Sequence, residues 1–227
     1  MATGPIILTA AGFTAALDEL RTRAADATRL PMREIFALAK AHTDMEPTEI
    51  EALLDRPEHE LRVGAVSIMD FQARRRTTTP ERRAELCELY LRRHDRIDSW
   101  DLVDRAAPHV VGGFLVDRSR QPLYDLARSD EPMRRRTAIT ATWFFIRQGD
   151  VTDTFAIGRI LAHDPHDLVQ KAVGGWVREA GKHDPEQLRA FLDDHAATMP
   201  RTALRYAIEH LDPQTRQHYL GLAKASQ

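Results

Sequence analysis

The sequence predicts an all-α protein, a curved solenoid of helix pairs, and three observations predict it. A small-or-aliphatic pair near the start of a helix recurs at Ala65-Val66, Leu102-Val103, Ala138-Ile139, Ala172-Val173 and Ala207-Ile208, at spacings of 37, 36, 34 and 35 residues; a period of that size belongs to stacked helical repeats. Apolar side chains between these anchors fall at helical spacing, and alternating β-branched runs are absent. Aspartate- and proline-rich punctuators such as Ser129-Asp-Glu-Pro and His183-Asp-Pro divide the chain at repeat-sized intervals.

Taken in order, the first thirty residues read as a helical lead-in, with Phe13, Leu17 and Leu20 on one face. Pro31 opens a helix through Ile35, Leu38 and Ala39, and Glu46-Pro-Thr-Glu starts the next, which ends near Asp55. Glu60 to Gln72 carries Leu61, Ala65, Ile68 and Met69 on one side. Pro80 suits a first helical turn and begins an amphipathic helix running toward Arg93. Ile97-Asp98-Ser99 supplies a cap for a helix carrying Trp100 and Asp104, which Pro108 kinks or ends. The later helices are expected at Gln121 to Arg128, Met133 to Gln148, Thr154 to His163, Asp167 to Glu179, Pro185 to Asp193 and Pro200 to His210. This amounts to five or six HEAT-like helix pairs in a single domain, 1–227.

Composition narrows the class. With 43% hydrophobic and 29% charged residues the chain can bury a substantial core. No apolar run approaches a membrane span, and Met1 to Ala11 lacks the basic region and small-residue site of a signal peptide; a cytoplasmic monomer is expected. The lone Cys87 excludes an internal disulfide and reads as a small buried apolar residue. A net charge of −2 announces no polyanionic partner, and the distribution of charge matters more than the sum. Basic residues cluster at Arg74-Arg75-Arg76, Arg92-Arg93 and Arg134-Arg135-Arg136, and acids at 44–51, 150–153 and 184–194, so a basic groove on a near-neutral protein is expected.

Chemistry enters through the ladder. In a stack of repeats equivalent positions line up along one surface. Two residues before each anchor stand Val63, Trp100, Arg136, Gln170 and Arg205. Trp100 and Arg136 are therefore expected side by side, with Asp104 one turn beyond Trp100 on the same face. An aromatic, a carboxylate and a guanidinium would then converge on one groove. His163-Asp-Pro-His166-Asp looks like a ligand cluster but reads as an inter-repeat turn, with Asp and Pro as cap and breaker. No glycine loop of the phosphate-binding kind is present, since Gly112-Gly113 and Gly174-Gly175 lie in helical contexts.

From Leu53-Leu54, His59-Glu-Leu-Arg62 and Gly64-Ala-Val-Ser-Ile68 through Gln170-Lys-Ala-Val-Gly174 and Arg178-Glu179, nearly the whole chain resembles the AlkD family of bacterial DNA alkylation repair glycosylases, which are HEAT-like repeat proteins. In that family a Trp-x-x-x-Asp string lies beside an Arg-x-Ala string in a concave DNA-binding cleft. Trp100, Asp104 and Arg136 match these positions. The resemblance implies hydrolysis of the N-glycosidic bond of N3- or N7-alkylated purines in double-stranded DNA, without base flipping and without a cofactor or metal. It also implies DNA contacts from Lys171 and Arg178, alongside the basic run of Arg134 and Arg135.

The residue types suit that chemistry. An alkylated purine already carries positive charge and leaves readily, so the remaining difficulty is the oxocarbenium-like charge on the sugar. A fixed carboxylate such as Asp104 near 4 Å, at an effective dielectric near 20, contributes roughly 4 kcal/mol, about a thousandfold in rate; it can also orient a water. Trp100 offers its π face to the cation for about 0.5–2 kcal/mol, and Arg136 holds a phosphate in register. The chain departs from the family at two strings: Met133 stands where a tryptophan often precedes the Arg-x-Ala string, and the family's second cleft tryptophan is replaced by Gly175, followed by Trp176. One residue turns a side chain by about 100° around a helix, so a narrower substrate range is expected. A noncatalytic DNA-binding relative and a HEAT-like protein scaffold are the alternatives.

Overall fold

The computed structural model describes residues 7–23 and 30–225. Among them every regular element is helical, and none of the helices is long and apolar enough to cross a membrane. The chain divides into two compact units, Met1–Phe114 and Leu115–Gln227.

In the first unit α1 (Ala10–Arg23), α2 (Met32–Ala41), α3 (Pro47–Leu54), α4 (His59–Arg74), α5 (Pro80–Arg92) and α6 (Trp100–Ala106) follow in turn; the parts of the expected lead-in at 1–6 and 24–29 lie outside the described residues. Helix α4 is the centre. Leu61, Val63, Ala65, Val66, Ile68, Met69 and Ala73 are all buried, because α2, α3, α5 and α6 pack around it. Gly64 lets α1 come close: a Cβ there would sit 2.4 Å from the Phe13 ring.

Helix α6 neither ends nor simply kinks at Pro108. It passes into a π-helical segment, Ala107–Gly112, in which Gly113 N–H donates to Pro108 O, five residues back, before a last turn α7 (Gly113–Leu115). The cause is local. Proline has no N–H to return to the carbonyl four residues earlier and its ring crowds that carbonyl, which belongs to Asp104; widening the turn by one residue accommodates the ring.

The second unit holds α8 (Gln121–Ala127), α9 (Pro132–Ala141), α10 (Trp143–Ile146), α11 (Thr152–Ile160), α12 (Asp167–Gly181), α13 (Pro185–His195), α14 (Arg201–Ala207) and α15 (Pro213–Ala225). Met133 to Gln148 is two helices rather than one. Thr142 donates its hydroxyl to Ile139 O at 2.7 Å, a back-bond that bends the chain there. The sequence reading missed α15, although Asp212 accepts from Gln214 and Thr215 N–H at 3.0 Å in front of Pro213, a cap followed by a first-turn proline. Helix α12 is the centre of this unit, packed by α9, α11, α13 and α14.

All five anchor pairs are buried, none more than 5% exposed. Within the first unit the anchor helices α4 and α6 pack directly, as do α9 with α12 and α12 with α14 within the second. Side-chain ties recur at about one repeat: Arg62 to Asp98 at 2.6 Å, Arg92 to Glu51 at 2.5 Å and Trp176 to Thr140 at 3.2 Å.

Candidate nucleic-acid interface

Trp100 and Asp104 belong to the first unit. Ser99 is the N-cap residue of α6, with extended backbone, but its hydroxyl does not cap the helix. It donates instead to Asp101 Oδ1 at 2.7 Å, and Asp101 Oδ2 lies 2.7 Å from His59 Nε2 on α4. Burial pushes the Asp101 carboxyl upward, but the Ser99 and His59 hydrogen bonds outweigh it and hold it below the usual range. Arg62 adds a bond to Asp98 at 2.6 Å and one to Arg96 O at 3.2 Å. The start of α6 is thus fastened to α4, while Leu102, Val103 and Ala106 fill the core.

Against that buried face Trp100 stands out: it is 51% exposed. Core packing, the ordinary use of a tryptophan on a short amphipathic helix, is not its role here. Asp104, four residues on, is half-buried and lies on the same helical face.

The last turn of α6 and the π segment are held from beneath by Asp70 of α4, which is 1% exposed. Its oxygens lie 3.1 Å from Arg105 Nη2, 2.9 Å from His109 Nδ1 and 3.4 Å from Arg74 Nη1. Arg105 also donates to Ser67 Oγ at 3.1 Å and is sandwiched between Phe36 and Phe71, 4.6 and 4.8 Å from their centroids. Burial pulls the Arg105 guanidinium below its ordinary value, against the pull of Asp70. Nothing in the sequence singles out Asp70, because only tertiary packing brings residues 67, 70, 105 and 109 together.

The second unit carries the remaining candidates. Arg136 is 8% exposed and donates to Leu168 O in the first turn of α12. Arg135 is held inside the unit: it pairs with Asp164 at 2.5 Å and donates to Ser129 O and Asp130 O. Arg178 pairs with Glu209 and Glu179. Lys171 pairs with Asp167 at 2.6 Å, yet its side chain is 41% exposed. Arg134 is half-buried and, among the described residues, has no ion-pair partner. Other arginine runs act within the first unit. Arg92 and Arg93 grip Glu51 at 2.5 and 2.9 Å, and Arg75 grips Asp44 at 2.5 Å.

Helix α12 runs without a break through Gly174, Gly175 and Trp176. A Cβ on Gly175 would meet nothing within 4 Å, so the face that carries Lys171 one turn earlier is open at 175. Trp176 turns toward α9 and donates its indole N–H to Thr140. One exposed aromatic that sequence reasoning passed over borders this helix: Tyr206 of α14 is 40% exposed, and its Cβ packs against Gly174. Its one signal was its place directly before the Ala207-Ile208 anchor.

At the 163–167 turn Asp164 Oδ1 accepts His166 N–H at 2.9 Å, His166 Nδ1 accepts Leu168 N–H at 3.3 Å, and His163 Nε2 meets Thr198 Oγ1 at 2.8 Å. Among the described residues no group of three histidine, cysteine or carboxylate side chains is placed to hold a metal ion.

Comparison with curated proteins finds no match. The sequence pattern of the DNA alkylation repair enzymes matches residues 26–211, more than half of the chain in both units, and the chain belongs to that family.

Proposed function

We propose that this DNA alkylation repair protein is a glycosylase that hydrolyses the bond between deoxyribose and an N3- or N7-alkylated purine in duplex DNA. The observation that carries the reading is Trp100, 51% exposed on a helix whose Leu102, Val103 and Ala106 fill the core, one turn before Asp104. In the reaction the C1′–N bond breaks and its electron pair neutralises the cationic base. Asp104 faces the positive charge that appears on the sugar and orients the water that adds at C1′ and gives up its proton to solvent, while the Trp100 ring provides a cation–π surface. Neither residue protonates the leaving group, because alkylation has already given it the charge.

Arg134 and Lys171 are the cations of the second unit that we assign to backbone phosphates, with Arg136 supporting the α9–α12 packing beneath them. Tyr206 adds an aromatic surface. We further propose that the helix pairs within each unit stack as HEAT-like repeats, since successive anchor helices pack directly, and that the protein acts as a cytoplasmic monomer. The open position at Gly175 favours a narrower second reading, a relative that binds alkylated DNA with weak or no excision. Incubating the protein with duplex DNA containing N7-methylguanine and measuring released base separates the two. Release that disappears in Asp104→Asn supports the glycosylase. DNA binding with no release above the spontaneous rate overturns it.

A further inference from the structure

The Asp70 cluster spans a junction in the backbone. Arg105 reaches Asp70 from the last turn of α6, and His109 reaches it from inside the π segment. Between them lies Pro108, which forces the change of helix type. A π turn holds one more residue than an α turn, so letting it relax would rotate α6 relative to α7 by about 100° per residue of register. A carboxylate bonded on both sides of the junction resists that rotation. The position is also costly to misuse: Asp70 is 1% exposed, and a buried carboxylate is retained only with its charge partners in place. The aromatic sandwich of Phe36 and Phe71 fixes the direction from which Arg105 approaches.

We propose that Asp70 is a positioning residue: through Arg105 and His109 it clamps the α6-to-π junction in the register that presents Trp100 and Asp104 on the surface. This rests on the glycosylase reading only for its effect on rate. The clamp itself is a statement about α6.

The test uses the full chain with Trp143→Phe and Trp176→Phe, so that Trp100 is the only fluorescent indole. His109→Leu removes one arm of the clamp and leaves Asp70 paired with Arg105 and Arg74. His109→Asn keeps an N–H near the Nδ1 position. Asp70→Asn removes the charge. Acrylamide quenching of Trp100 is expected to change by at least twofold in His109→Leu and Asp70→Asn and to return in His109→Asn. With N7-methylguanine duplex, the single-turnover rate is expected to fall by tenfold or more in His109→Leu, with DNA affinity within threefold of the parent. If Asp70→Asn does not fold, the two His109 variants carry the test. Unchanged Trp100 quenching in folded His109→Leu overturns the clamp. Altered quenching in a protein whose parent releases no base leaves the clamp standing and removes the glycosylase reading instead.

Discussion

Gly174 and Gly175 stand side by side on α12 and meet opposite surroundings. A Cβ at 174 would lie 2.3 Å from Ala203 O and 2.6 Å from Tyr206 Cβ, while a Cβ at 175 would meet nothing within 4 Å. The first glycine is a requirement of close approach between α12 and α14. The second is an unfilled, half-buried position, and the two therefore respond to substitution in opposite ways.

Gly174→Ala drives a methyl group into the Ala203 carbonyl and Tyr206 Cβ and is expected to cost about 1–3 kcal/mol, a melting temperature lower by roughly 2–12 °C. Gly175→Ala is expected to be neutral or to gain up to about 1 kcal/mol from helix propensity. Gly175→Trp starts an indole from a Cβ position with nothing within 4 Å, one turn from Lys171, and alkylpurine release is expected to rise. Thermal melts and single-turnover assays check all three; a melting temperature for Gly174→Ala equal to the parent's would contradict the packing.

Trp176 answers the same question from the other side. Its indole N–H is bonded to Thr140 across the α9–α12 contact, so Trp176→Ala is expected to lose about 2–4 kcal/mol of stability, on the order of 10 °C in melting temperature, with little effect on the excision rate of the folded fraction. Loss of excision at an unchanged melting temperature would place Trp176 at the DNA instead.

The basic residues divide by what already holds them. Arg134→Ala and Lys171→Ala are each expected to weaken binding across all sequences and to reduce the slope of log affinity against log salt by about 0.9 for each phosphate left without its cation. Arg128, which donates to Tyr124 O one turn back, serves as the control. Arg135→Ala is expected to act through stability, since it strips Asp164 of its guanidinium partner and leaves a buried carboxylate. Equal loss of affinity in Arg128→Ala would remove the case for specific contacts.

The buried anchors were legible because a repeat imposes its period on every core position, and Ala65, Leu102, Ala138, Ala172 and Ala207 are all in the core. The place of Trp100 and Asp104 on one face of α6 was legible for the same reason, since they sit at fixed offsets from an anchor; their part in the chemistry is our proposal. What the sequence concealed was partnership. Arg134, Arg135 and Arg136 look alike in a row, yet Arg135 pairs with Asp164 and Arg136 donates into the first turn of α12, while Arg134 is half-buried and, among the described residues, has no ion-pair partner. The Arg92-Arg93 pair likewise looks like part of a basic groove but grips Glu51 of α3. Ser99 was placed correctly at the cap, while its hydroxyl went to Asp101, a choice made by His59 from another helix. Pro108 signalled a disturbance; the π turn that resolves it depends on what α4 offers the residues around it.

The Glu51 grip makes a prediction about acid. Hydrogen bonds from Arg92 and then Arg93 hold the Glu51 carboxyl down to about 2, from an ordinary value of 4.5, and Arg93 likewise holds Asp55 below its ordinary range. A carboxyl with a lowered value in the folded state binds its proton more readily when unfolded. Its stabilisation is therefore complete above about pH 5 and is lost as the pH falls from about 4.5 toward 2. The site is partly solvated, so the effect stays near that of an exposed ion-pair network, about 1 kcal/mol or roughly 2–4 °C. Glu51→Gln is expected to melt lower than the parent by that amount at pH 7, with the gap unchanged down to about pH 5 and closing below about pH 4. Melting curves of the two proteins between about pH 7 and 2.5 decide it: a gap that persists at the acid end would mean that Glu51 supports the α3–α5 contact by packing and not by its charge.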